Sequence, residues 1–159
     1  MQEDARRKAS GAFEIRRRFR SPRETVFRAW TQPEALRRWW FPSGWVPEAV
    51  ELDLRVGGAY CVGMRRDAIG SRVSVRGHFL EVLPPERLKF TWHWEGAFEQ
   101  MPETVVTVEF HEFAGGTELT LRHENFADPG VARQHRSGWI SACARLDQAV
   151  ISSSAAHAS

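Results

Sequence analysis

Between about Val46 and Glu124 the chain alternates apolar and polar residues in short runs, and this period of two most limits what it can fold into. Leu88, Phe90, Trp92 and Trp94 fall on one parity, while Lys89, Thr91, His93 and Glu95 fall on the other. A strand built this way has one dry face and one wet face. Val73, Val75, Gly77 and Phe79 repeat the pattern against Arg72, Ser74, Arg76 and His78, as do Leu119 and Leu121 against Glu118, Thr120 and Arg122. The runs are divided by Gly57-Gly58, Asp67 to Gly70, Pro84-Pro85, Gly96 to Pro102 and Gly115-Gly116, so six strands fit between them as a meander.

The flanks add one strand and three helices. Phe13, Ile15, Arg17 and Phe19 alternate with Glu14, Arg16, Arg18 and Arg20, the period of a half-buried strand. Ser21-Pro22-Arg23-Glu24 reads as a capping box, with the Ser21 hydroxyl accepting from the Glu24 N–H and Pro22 at the first helical position. Thr31-Gln32-Pro33-Glu34 repeats the start signal, which predicts a second, short helix carrying Leu36, Trp39 and Trp40. After Asn125 to Gly130, a long last helix presents His135, Trp139, Ala142, Cys143, Leu146 and Val150 as one apolar stripe. The order β-α-α-β6-α predicts an α+β fold, a curved antiparallel sheet of about seven strands wrapped around the C-terminal helix. No Gly-rich phosphate loop joins a strand to a helix, which disfavours nucleotide binding of that kind.

The 159 residues suit one domain, expected over 12–151 with flexible tails at 1–11 and 152–159. With 22 Lys and Arg against 20 Asp and Glu, the formal net charge of +2 offers no field suited to nucleic acid or an acidic membrane. The first eleven residues lack the apolar core of a secretory signal, and no run has the length of a membrane span. Cys61 and Cys143 are too few for a disulfide framework and have no zinc-site spacing. A reduced, cytoplasmic protein without cofactor or metal is expected.

Five segments in order carry a family resemblance: SPRETVFRAWTQPEALRRWW at 21–40, ELDLRVGG at 51–58, GHFLEVLPPERLKFTW at 77–92, GGTELTLRHENF at 115–126 and HRSGW at 135–139. Over about residues 12–150 the chain resembles the START-like helix-grip (SRPBCC) superfamily. Within it, the chain is similar to the group around the C-terminal domain of the activator of the 90-kDa heat-shock protein ATPase. The resemblance implies a helix-grip fold and, as functions, either binding of a small hydrophobic molecule or a co-chaperone role. It also leaves open a cyclase- or hydrolase-type enzyme. Fold alone does not choose among these.

A sheet that curves away from its helix leaves a gap that side chains or a ligand must fill. The expected walls are Trp39, Trp40, Trp92, Trp94 and Trp139, joined by Met64, Phe79 and Phe90, with Cys143 as a small filler on the helix stripe. His123 continues the inward parity of Leu119 and Leu121 and is the candidate polar contact or general base, with His135 as a partner. Glu51 and Glu81 face the same interior if their strands keep simple alternation. His78 and His93 form a second pair across a hairpin on the wet face, too few for a metal site. Arg16 to Arg18 and Arg37-Arg38 are read as solvated faces, or as a surface for an acidic partner such as a chaperone. A homodimer is an open expectation.

Overall fold

The structure is a computed structural model that describes residues 11–66 and 70–158, with side chains through Ile151. The expected tail at 1–11 therefore lies, Gly11 apart, outside the described residues. Strand β1 (Ala12–Phe19) is followed by α1 (Arg23–Thr31) and α2 (Pro33–Leu36). The strands β2 (Trp45–Leu52), β3 (Ala59–Arg66), β4 (Ser71–Leu83), β5 (Arg87–Glu95), β6 (Thr104–Phe113) and β7 (Gly116–Glu124) come next, and α3 (Pro129–Ala158) ends the order. The helix runs past the boundary expected at residue 151. All pairings are antiparallel, in the order β1-β7-β6-β5-β4-β3-β2. Only β1 leaves sequence order, so α1 and α2 carry the chain from one edge of the sheet to the other.

Helix starts and stops follow local chemistry, with two departures from expectation. The capping position falls on Pro22 rather than Ser21, and no side chain caps the helix. The Pro22 carbonyl accepts from Thr25 and Val26, while the Ser21 carbonyl accepts the Thr117 hydroxyl at 2.7 Å, which ties the residue into the sheet. Gln32 is extended (φ −109°, ψ 129°), as the residue before Pro33 prefers, so α1 stops there. Helix α2 ends at Leu36, which places Trp39 and Trp40 in the following turn rather than on a helix. Tight bonds from Arg38 to Ala35 and from Trp39 to Leu36 close that turn.

The inner face of the sheet buries Val75, Phe90, Val106, Val108, Leu119 and Leu121. Against it lie Val26, Phe27 and Trp30 of α1 and Trp139, Cys143, Leu146 and Val150 of α3. Each large apolar side chain withdrawn from water this way contributes roughly 1.5–3 kcal/mol. Two register shifts bend the sheet, between Pro47 and Val50 in β2 and between Phe79 and Glu81 in β4. Gly77, beside the second, is obligatory: a Cβ there would run into the Thr91 carbonyl oxygen. That oxygen is already engaged, because Tyr60 donates its hydroxyl to it at 2.5 Å.

The shifts also correct the reading of Glu51 and Glu81. Each adds a residue to the count, so Val50 and Val82 turn inward while Glu51 is exposed and Glu81 pairs with Arg87 at 2.6 Å. Neither glutamate faces the interior.

Candidate ligand cavity between sheet and helix

A cavity of about 160 Å³ opens where the β3–β5 side of the sheet diverges from α3. Its apolar wall is Trp40, Met64, Trp92, Trp94, Phe98 and Trp139. Trp40, Trp92 and Trp139 pack on one another with ring centroids 5.2–5.8 Å apart. Such tilted and edge-on pairs hold one another rigidly. Phe98 leans over Trp94 and His135 from the β5–β6 loop, at 5.8 and 5.4 Å, with its backbone at φ 51°. A phenylalanine in that left-handed region costs on the order of 1 kcal/mol, which the surrounding contacts must hold in place.

Of the wall residues expected from sequence, the structure brings together Trp40, Met64, Trp92, Trp94 and Trp139. It places Trp39, Phe79, Phe90, His123 and Cys143 elsewhere. Trp39 is fully buried behind Trp40 and donates its indole N–H to the Ala29 carbonyl at 2.8 Å. Phe79 and Phe90 pack with Tyr60 farther along the sheet, where only a small gap remains. Cys143 lies on the side of α3 pressed against the core, and burial pushes its thiol up to about 11, against the opposing pull of Arg17 and Arg145.

His123 corrects the reading as a ligand contact or base. It is wholly buried, with Nδ1 accepting the Trp139 indole N–H at 3.1 Å and Nε2 within 2.7 Å of the Thr104 hydroxyl. Because Nδ1 accepts, Nε2 must carry the proton and donate it to Thr104, whose own hydroxyl points to the Trp92 carbonyl. Burial, and to a lesser degree His135, hold its pKa well below the usual histidine value. Both nitrogens are spent inside the core.

His135, in contrast, does line the cavity. Its Nε2 accepts the Trp94 indole N–H at 2.9 Å, so Nδ1 carries the proton toward the Val131 carbonyl, also at 2.9 Å. Burial lowers its pKa, partly offset by that carbonyl. The two histidines therefore fix the wall tryptophans Trp94 and Trp139 in place. Trp92 is held by packing alone, since its buried indole N–H has no acceptor.

The remaining lining was missed from sequence: Pro42, Phe98, Gln134, Gly138, Ala142 and Arg145. Gly138 sits on α3 with nothing within 4 Å of where its Cβ would be, so a missing side chain keeps that side of the cavity open. Arg145 donates to the carbonyls of Trp39 and Trp40 at 2.8 and 3.3 Å, fastening the turn after α2 to the helix. Gly138, Ala142 and Arg145 share a spacing with His135: the four form a stripe one step around α3 from 139, 143, 146 and 150.

On the opposite face of the sheet, a broader polar hollow of about 410 Å³ includes Glu51, Cys61, Arg76, His78, His93 and Glu103. His93 stands opposite Arg76 rather than His78. No group of three potential metal ligands occurs among the described residues. The arginine runs are largely neutralised by the protein's own acids, with Arg16 on Glu14, Arg17 on Asp147, Arg18 on Glu118 and Arg37 near Glu34.

The family model for activator of Hsp90 ATPase homolog 1-like proteins matches residues 20–150. The chain belongs to that family. Proteins with solved structures share the fold over nearly their whole length. A protein of Chromobacterium violaceum is 28% identical with a TM-score of 0.79, the match covering 88% of this chain and 97% of that one. One of Nitrosomonas europaea is 25% identical with a TM-score of 0.78, covering 93% and 99%. The AHSA1-like protein of Aeromonas hydrophila is 25% identical with a TM-score of 0.76, covering 90% and 94%. No curated protein matches the chain closely enough to count as a relative. No helix among the described residues is long and apolar enough to cross a membrane.

Proposed function

We propose that this member of the family binds a small aromatic or otherwise apolar molecule in the cavity between sheet and α3. The observation that carries the reading is the rigid aromatic wall of Trp40, Trp92, Trp94 and Trp139 around space that no side chain fills, kept open by Gly138. A well-packed interior leaves few voids larger than a water molecule. An apolar cavity of about 150 Å³ is enough to hold one aromatic ring, so this space takes one ring, and a second can project through its open side. Neither histidine offers a free nitrogen, which favours binding over acid–base chemistry at this site. Titration with the neutral two-ring probe 2-naphthamide, followed by tryptophan fluorescence, tests it. A saturable change with one site per chain supports the reading, and no change at the solubility limit of the probe contradicts it.

The family match supports a second reading, association with the 90-kDa heat-shock ATPase. It predicts capture of that chaperone by the immobilised protein and a changed ATPase rate; absence of both disposes of it.

A further inference from the structure

Arg145 puts a full positive charge on the wall of this apolar cavity. Its guanidinium has five N–H donors. Nε and one Nη are used on the carbonyls of Trp39 and Trp40, which satisfy hydrogen bonds but carry no net charge. Among the described residues no carboxylate pairs with it. Asp147, two positions along the helix, is engaged with Arg17 at 3.3 Å. The other polar lining residues, Gln134 and His135, bring no negative charge, the histidine being held neutral by its two hydrogen bonds. Partial burial lowers the Arg145 pKa, the direction a cation takes where desolvation outweighs stabilisation.

A half-buried cation without a counter-ion is costly, and the two carbonyls hold its fork in one orientation. The donors that remain lie on the outer Nη edge, which suits a planar or trigonal oxyanion as a bidentate partner. We propose that the ligand of this cavity carries an acidic group, a carboxylate or sulfonate, on its aromatic body, and that Arg145 receives that group. The inference rests on the ligand-binding reading above and narrows it to aromatic acids.

The test compares 2-naphthoate with 2-naphthamide, which share size and shape but differ in charge, by isothermal titration calorimetry near neutral pH. The wild-type protein is expected to bind the acid about tenfold or more tightly than the amide. Arg145→Met is expected to bind acid and amide equally, with the amide affinity lowered to the extent that losing the bonds to the Trp39 and Trp40 carbonyls loosens the turn. Arg145→Lys, which keeps the charge and loses the fork, retains part of the preference. Should Arg145→Met lose amide binding as well, the wild-type preference is measured at low and high salt; a preference that shrinks with salt supports the ion pair, and one that does not overturns it. Equal binding of acid and amide by the wild type, or an undiminished preference in Arg145→Met, overturns the inference and leaves the ligand-binding reading standing. Binding of neither compound overturns both.

Discussion

Trp139 donates its indole N–H to Nδ1 of His123 at 3.1 Å, and that one bond joins the cavity to the core behind it. One edge of the indole faces the open space and the other is anchored to a histidine on β7. The anchor fixes the imidazole tautomer, and the tautomer fixes Thr104. Trp139 in the aromatic wall is therefore positioned by a polar relay buried behind it.

The relay predicts the cost of removing its last hydroxyl. Thr104→Val conserves shape but leaves the buried His123 Nε2–H without an acceptor, and should destabilise the fold by roughly 1–3 kcal/mol. Urea denaturation should show a lower midpoint at an unchanged slope. An unchanged midpoint would mean that the hydroxyl is not the partner of that proton.

Both buried histidines predict acid sensitivity. Their folded pKa values lie below the ordinary value of 6.5, so below about that pH the unfolded chain takes up protons that the folded chain refuses. Stability is complete above that value and is lost as the pH falls toward the folded-state pKa values, by up to about 1.4 kcal/mol per pH unit for each histidine. Denaturation at about pH 7.5 and about pH 5 measures it. A flat profile would show that both imidazoles accept protons in place.

How much of this was legible follows from the periodicities. The alternation of Leu88, Phe90, Trp92 and Trp94, and the dividers between strands, carry the sheet because the pleat copies sequence parity directly onto its faces. Parity fails at Glu51 and Glu81, where bulges insert a residue that no side-chain pattern marks. Helix α3 shows a different loss. Its apolar residues read as one stripe, whereas packing separates a core line through Cys143, Leu146 and Val150 from a cavity line through His135, Gly138 and Ala142, with Trp139 on the border of both. Gly138 and Arg145 have no apolar signature, and Phe98 sits in a turn, so hydrophobic spacing passes over all of them. The parity of His123 with Leu121 gives its inward direction, but its hydrogen-bond partners come from β6 and α3, at sequence distances no local pattern spans.

Gly138 lies within a helix where a methyl group meets nothing, so helix propensity alone sets the effect of Gly138→Ala. The substitution should stabilise the protein by up to about 1 kcal/mol. A lower unfolding midpoint for Gly138→Ala would show that the glycine serves a conformational need the helix does not display.

The two cysteines should differ in reactivity. Cys61 is half-buried on the wet side of β3, whereas Cys143 is almost wholly buried with its thiol pushed up to about 11. Iodoacetamide near neutral pH should add one label to the folded protein, at Cys61, and two after denaturation. Labelling of Cys143 in the folded protein would mean that α3 lifts from the sheet.

The central claim is that the space beside α3 is a binding site, and filling it tests that claim most directly. In Gly138→Phe a ring grows from a position with no Cβ neighbours on the cavity lining, with the aromatic wall and the histidine relay themselves left unsubstituted. Calorimetric titration of the wild type and of this variant with 2-naphthamide, alongside their thermal unfolding, gives the comparison. Saturable binding to the wild type that is lost in a variant of undiminished stability is the predicted result. Equal binding by both proteins would place the ligand elsewhere and contradict the account.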